Sequence, residues 1–308
     1  MTTLLAVPNF SEGRDEQTID ALAHALAGGS EAGAGDGAAA GRVRLLATHR
    51  DPDHNRCAFT LAGEPAALAP ALLAGARVAV ERIDLRRHEG VHPHVGALDV
   101  APIVHLGDAD RGAACAEALV TADLLARHPR LPVLIYGALA QGRTRAELRR
   151  GGPPELARRL AAGELAPDFG PSHAHPSAGA TLVAARPPLV AFNVMLRPPA
   201  TLDTAREIAA RIREGGPESL PSLRAIGLRL DRRQEIQISM NVERPDLTPL
   251  RDVVAAIARH AEPSAAELVG LAPEAAFDGF PADLPIPGFD PDAHLIERAL
   301  RRAGLMPG

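Results

Sequence analysis

Apolar residues fall into short blocks along the chain, and their spacing predicts its elements. Leu4–Val7 is an apolar run stopped by Pro8, a buried strand leading into the loop Asn9–Gly13. Asp15–Ala27 reads as a helix, with Ile19, Leu22, Ala23 and Leu26 on one face. Residues 28–41 are rich in Gly and Ala and carry no period, as in a flexible surface loop. Val43–Thr48 and Cys57–Leu61 are strands on either side of the polar turn His49–Arg56. A long apolar helix runs to about Ile83 from Pro65 or Pro70, because proline is tolerated only in a first turn. Leu98–Leu106 is a strand, Asp110–Ala126 a helix and Val133–Tyr136 a strand. Without the last two, the order is strand, helix, strand, strand, helix, strand.

The second half repeats that order. Leu189–Leu196 is a strand and Leu202–Glu214 a helix. Leu223–Leu230 and Glu235–Val242 are strands joined by a tight turn near Asp231–Arg233, followed by a helix at Leu247–His260 and a strand at Ala266–Leu271. Two βαββαβ runs predict an α+β fold: a duplication of two ferredoxin-like α/β sandwiches joined by a short linker near Ala185–Pro188. The subdomains are then 1–184 and 185–308. Between the halves, Gly137–Gly179 is helical in parts and then Pro-rich, with the spacing of a linker or of a functional loop. The tail Pro273–Pro291 is loop-like, with a last helix at about Asp292–Ala303.

Length and charge refine this picture. A chain of 308 residues suits two domains or one large one. The formal net charge of −5 offers no basic footprint for nucleic acid, so the expected partner is a small molecule or another protein. Cys57 and Cys115 are too few for a disulfide framework and lack metal-ligand spacing, which favours a reducing cytoplasm. The N-terminus does not read as a signal peptide, and no stretch approaches the ~20 apolar residues of a membrane span. The sequence contains no lysine. Schiff-base chemistry on a lysine and a Walker-type phosphate loop are therefore excluded. A substrate carboxylate must be held by Arg, backbone N–H or hydroxyls, and the planar arginine fork suits that task.

Three stretches carry candidate chemistry. In the first, His88, His92 and His94 fall within seven residues, with Asp99 just beyond. They suit acid–base catalysis by an imidazole oriented by a carboxylate, a zinc site with His105 further on, or a solvated polar loop. The second is His49–Arg56, where Asp51 or His54 would face the histidine loop and Arg56 would grip an anionic substrate; Asp-Pro-Asp and His-Asn also simply form turns. The third is Pro167–Gly179, either a linker or a wall against a flat heterocycle, with Gly170 and Gly179 allowing close backbone approach.

At these places the chain resembles the formiminotransferase family. The matching runs are Val7–Gly13, Asp51–Arg56, Gly90–Pro93 with Gly96–Val100, Tyr136–Gly137, Ala166–Pro171, Gly179–Thr181, Ala191–Asn193 and Arg224–Gly227. The resemblance implies transfer of a formimino group from N-formimino-L-glutamate to N5 of tetrahydrofolate in histidine breakdown, giving 5-formiminotetrahydrofolate and glutamate. It implies a metal-free site, tetrahydrofolate as co-substrate, two ferredoxin-like subdomains and a homodimer. The family's catalytic histidine corresponds to His92, and its folate-binding segment to Gly170, Pro171, Ser172, His173, Ala174, His175, Pro176, Ser177, Ala178 and Gly179. An aspartate that assists the histidine in the animal bifunctional enzymes falls at His49, leaving Asp51 as the nearest carboxylate. Two aromatic positions of the folate segment are Ala174 and Ala178, which leaves Phe169 to stack on a pterin. The chain is too short for the bifunctional proteins' cyclodeaminase domain and would work beside a separate cyclodeaminase.

The residues support one imidazole taking the N5 proton and returning it to the departing glutamate nitrogen, with no covalent enzyme intermediate. Arg56 is the leading carboxylate ligand and Arg87 the second, and the active site is expected in a cleft between the halves. Alternatives are a formyltransferase between 5-formyltetrahydrofolate and glutamate, a zinc-dependent hydrolase built on the histidine loop, and a non-catalytic folate-binding protein.

Overall fold

A computed structural model describes residues 2–28 and 43–306, so the loop expected over 28–41 lies, apart from Gly28, outside the described residues. The chain divides into two compact units, residues 1–186 and 187–308.

The first unit begins with a strand broken at Val7 and Pro8, giving β1 (Leu4–Ala6) and β2 (Asn9–Phe10). Helix α1 (Glu16–Leu26) starts at Asp15, whose carboxylate accepts the Gln17 N–H, as an N-cap should. Strands β3 (Val43–Asp51) and β4 (Arg56–Gly63) form a hairpin, followed by α2 (Leu68–Arg82) and β5 (Leu98–His105). Proline is tolerated at Pro70 because it lies in the first turn of α2. Both halves of the broken strand pair antiparallel with β4 on one side and β5 on the other, and β3 pairs with β4. That is the split βαββαβ connectivity read from the sequence.

The unit then extends beyond that motif. Helix α3 (Arg111–Arg127) leads to β6 (Val133–Ile135), and α4 (Arg145–Arg149) and α5 (Gly152–Ala161) precede β7 (Thr181–Arg186). Strand β7 runs parallel to both β5 and β6 and widens the sheet to seven strands. The block Ala180–Ala185, apolar but for Thr181, whose hydroxyl donates to the Leu98 carbonyl, is buried throughout, as a strand covered on both faces requires. One face meets the α1–α3 core, where Phe10 and Phe59 pack edge to face at 5.7 Å. On the other face Val100, Leu182 and Ala184 meet Leu148, Leu156 and Leu160 of α4 and α5.

Two observations show how helices are fixed. Buried Glu117 on α3 accepts N–H bonds from Ala66 at 2.6 Å and Ala69 at 2.7 Å, holding the start of α2. Gly75 admits Leu26, whose Cδ2 lies 2.6 Å from where a Cβ would stand.

The second unit is the simpler sandwich. It contains β8 (Val190–Leu196), α6 (Leu202–Ile212), β9 (Leu223–Leu230), β10 (Glu235–Val242), α7 (Leu250–Ala258) and β11 (Pro263–Val269). The sheet order is β11-β8-β10-β9 with every pairing antiparallel, the same connectivity as the first four strands of unit 1. Gly227 lets α6 cross β9 closely: an added Cβ would stand 2.4 Å from the Arg206 amide. The tail contains α8 (Pro291–His294) and α9 (Ile296–Arg302), so the final helix is broken at Leu295. Among the described residues no helix is long and apolar enough to cross a membrane.

Candidate active site

Three stretches distant in sequence meet through Asn55. It ends the Pro52–Asn55 turn at φ +47°, a left-handed conformation that Asn tolerates better than most residues. Its Oδ1 accepts the Gly13 N–H at 2.9 Å, and its Nδ2 donates to the Glu89 carbonyl at 3.0 Å. Gly90 makes the same junction possible, since a Cβ there would stand 2.4 Å from the His54 carbonyl. Ser11 completes the joint by donating to the Gly96 carbonyl at 2.7 Å. The Val7–Gly13, Asp51–Arg56 and Gly90–Gly96 runs are therefore one built corner of unit 1.

A bulge in β5 aims the central carboxylate. Asn9 stands opposite Val100 but Phe10 opposite Leu98, so Asp99 is the extra residue. Leu98 and Ala101 both join the helix-side core, whereas Asp99 is fully buried and turned to Arg56 and Arg149. Arg56 Nη1 donates to Asp99 Oδ2 at 2.7 Å, and Arg149 Nη2, at the end of α4, donates to the same oxygen. The Val95 amide donates to Oδ1 at 2.9 Å. Burial alone would raise the Asp99 carboxyl, but the two guanidinium groups outweigh it and hold it at about 2. Burial and the facing Arg56 lower Arg149 to about 10, against the pull of Asp99. Two cations share one carboxylate, which leaves excess positive charge for an anion.

His92 lies beside this cluster. Arg56 Nη1 is 3.3 Å from His92 Nδ1, and Arg56 Nε donates to Asn9 Oδ1 at 3.0 Å. Arginine has no acceptor, so Nδ1 receives this bond and the neutral ring carries its proton on Nε2. Burial first, then Arg56, Arg149 and His54, hold the His92 imidazole well below its ordinary range, so it is neutral at pH 7. His54 is buried, its ring 5.9 Å from that of His92. Its Nδ1 pairs with Asp51 Oδ2 at 2.8 Å. Asp51 Oδ1 in turn accepts the amides of Asp53 and His54 at 2.8 and 2.9 Å.

The other imidazoles play different parts. His88 and His94 pack edge to face at 4.3 Å, and burial, then His94, lowers His88 to about 4. His94 Nδ1 lies 3.2 Å from the His92 carbonyl. Among the described residues no group of three His, Cys, Asp or Glu converges as a metal set. His49 sits on β3 opposite Ala58, two residues before Asp51 and so on the same sheet face.

The segment 170–179 is zipped onto the histidine loop. Leu85 N–H donates to the Ser177 carbonyl, Ala97 N–H to Ala178 and Ala180 N–H to Val95, each within 3.0 Å. The two glycines serve this docking. Both have positive φ, and a Cβ on Gly179 would stand 2.1 Å from the Val95 carbonyl and one on Gly170 2.6 Å from that of Leu131. The backbones they let approach are those of their own unit. His175 closes the turn, its Nδ1 accepting the Ala178 amide at 3.1 Å. Ala174 and Ala178 face inward, Pro171 is half-buried, and Ser172, His173 and Pro176 are exposed. Phe169 packs against the first core, which takes up the ring expected to stack on a ligand. Asp168 is equally structural, accepting the Ile135 amide at 2.7 Å and pairing with Arg143.

Of the residues singled out in the sequence, His92, Asp51, His54, Arg56 and Asp99 come together, and segment 170–179 adjoins their loop. Asp99 orients no histidine directly; it holds Arg56, which reaches His92. Arg87 is exposed on a 3-10 turn and joins none of these contacts. Arg149 and Arg159 were not singled out. Buried Arg159 on α5 donates to the Glu147 and Leu148 carbonyls and fixes the end of α4 that carries Arg149. The one available signal was the absence of lysine, which leaves every buried cation to arginine.

This corner lies inside the region matched by the formiminotransferase domain, N-terminal subdomain, at residues 3–186; the formiminotransferase domain itself matches residues 191–278. The chain belongs to the formiminotransferase family. It is 33% identical over 306 residues to glutamate formimidoyltransferase of Streptococcus pyogenes, covering 96% of this chain and 97% of that one. It is 30% identical over 319 residues to glutamate formimidoyltransferase of Thermoplasma acidophilum, covering 99% and 100%. It is 36% identical over 282 residues to formimidoyltransferase-cyclodeaminase of Rattus norvegicus, covering 87% of this chain and 49% of that one. The chain thus spans about half the length of the bifunctional relatives it matches.

Proposed function

We propose that this protein transfers the formimino group of N-formimino-L-glutamate to N5 of tetrahydrofolate, in histidine degradation. One observation carries the reading: His92, neutral and crowded by Arg56 and Arg149, stands beside an excess of positive charge. The reaction forms an N5–carbon bond, breaks the carbon–nitrogen bond to glutamate, and must carry the N5 proton to that nitrogen. Neutral imidazoles can hold that proton in transit, typically worth a factor of ~10²–10⁴. Arg56 and Arg149 suit a carboxylate of glutamate, which they would meet with fork-shaped donors. The exposed Ser172, His173 and Pro176, next to the histidine loop, suit the folate. His92 touches the reacting atoms in this reading, with Asp51 and His49 two residues apart on one face of β3.

The two units serve as the N- and C-terminal subdomains of one transferase, a homodimer of the cytoplasm working beside a separate cyclodeaminase. The match over 97% and 100% of two glutamate formimidoyltransferases supports the reading of the two units as subdomains of one transferase.

The test is turnover with formiminoglutamate and tetrahydrofolate, followed as the cyclised methenyl form absorbs. Turnover that requires both substrates is expected. Turnover with 5-formyltetrahydrofolate and glutamate alone would replace the reading with a formyltransferase.

A further inference from the structure

We infer that His54, backed by Asp51, is a second catalytic imidazole and the one that takes the proton from N5. The inference rests on the reading above and deepens it. The two imidazoles have opposite hydrogen-bond characters. His92 Nδ1 faces Arg56, which can only donate, so its Nε2 is an N–H donor. His54 Nδ1 faces the Asp51 carboxylate at 2.8 Å, which can only accept. Its Nδ1 therefore carries the proton, and its Nε2 keeps the lone pair. The rings stand 5.9 Å apart, tilted by 55°, close enough to address one reacting centre.

The charges divide in the same way. A proton arriving at His54 is compensated at once by Asp51, whose second oxygen is anchored by the Asp53 and His54 amides. A proton arriving at His92 would meet Arg56 and Arg149. His54 is the better resting place for positive charge, and a proton there further disfavours one on His92.

The proton inventory closes. His54 Nε2 takes the N5 proton as the N5–carbon bond forms. The same proton passes from His54 to the glutamate nitrogen as the carbon–nitrogen bond breaks. His92 donates a hydrogen bond from Nε2 and keeps its proton throughout.

Asp51→Asn is the discriminating variant. Its amide oxygen can still accept the two backbone N–H groups that shape the turn. Its NH2 group would donate to His54 Nδ1, move the ring proton to Nε2 and remove the lone pair. Turnover of formiminoglutamate and tetrahydrofolate should then fall about 10²-fold in kcat, with KM within about threefold and an unchanged melting midpoint. His54→Ala should fall by a similar factor and recover at least tenfold in added imidazole. Asp51→Asn within about threefold of wild-type kcat overturns the proposal, as does a His54→Ala loss that imidazole leaves unchanged in a variant of wild-type melting midpoint. If His54→Ala fails to melt cooperatively, Asp51→Asn decides alone. Absence of wild-type turnover would instead overturn the transferase reading, so the two failures are distinguishable.

Discussion

At the residue scale, the site is an arginine–carboxylate–arginine cluster with two imidazoles at its edge. Asp99 is the keystone, because both guanidinium groups share one of its oxygens. Removing its charge would leave two buried cations uncompensated. Asp99→Asn should destabilise the fold by about 3–5 kcal/mol in chemical denaturation, the usual result of breaking a buried pair. The half-buried His88 and His92 make a separate, testable mark on stability. His88 is lowered to about 4 and His92 lies well below its ordinary value, so the unfolded chain binds these protons first. Stability should therefore be level above pH ~6.5 and fall as pH drops from there toward 4. Asp99 acts later: its contribution is intact above its ordinary value of 3.8 and is lost on the way down to about 2. Urea titrations at pH 7.5 and 5 check the histidine window. A flat profile between them would contradict the burial of these imidazoles.

Much of this was legible in the residues. His92, Asp51, His54 and Arg56 stood out because imidazoles, carboxylates and turn formers cluster locally. Arg149 did not, because it reaches the site from α4, 50 residues after Asp99, and nothing in its neighbourhood marks a helix end as functional. Nor could spacing reveal that Asp99 is a bulge residue, which depends on the register of β2 against β5. Gly170 and Gly179 were legible as special backbone, but not the reason for it. Only the packed structure shows that they admit their own unit's carbonyls.

At the element scale, periodicity found β9 and β10 to the residue, and it found the four-strand order in both halves. It missed β7, which stands between the Pro-rich stretch and the expected linker and is a strand that the βαββαβ order does not call for. It also placed His49 and Arg50 in a turn, whereas β3 runs on to Asp51 and the turn is only Pro52–Asn55. Two contacts between elements can be tested. Glu117→Ala would leave the Ala66 and Ala69 amides without their carboxylate and should lower stability by about 1–3 kcal/mol, read as a shifted denaturation midpoint. Gly227→Ala would force a methyl into the α6 backbone and should lower stability by about 1–3 kcal/mol while leaving residues of unit 1 untouched. Hydrogen exchange that loosens β9 and α6 alone is the expected signature.

At the scale of the whole molecule, two units share one connectivity but differ in elaboration. The second is a plain four-stranded sandwich, and the first adds α3–α5, β6 and β7. Those additions support the candidate site: α4 supplies Arg149, α5 supplies Arg159, and β7 follows directly from the segment docked on the histidine loop. Every site residue described above belongs to unit 1. Family membership and the βαββαβ repeat agree on the fold, while the chemistry rests on the corner where Gly13, Asn55, Gly90 and Asp99 meet. The central claim is that His92 acts at the reacting atoms of formimino transfer. The most direct measurement is kcat of His92→Ala with formiminoglutamate and tetrahydrofolate, alongside its affinity for folate. The account predicts a loss of at least ~10²-fold in kcat with folate affinity largely kept. Turnover near wild type in that variant would contradict it.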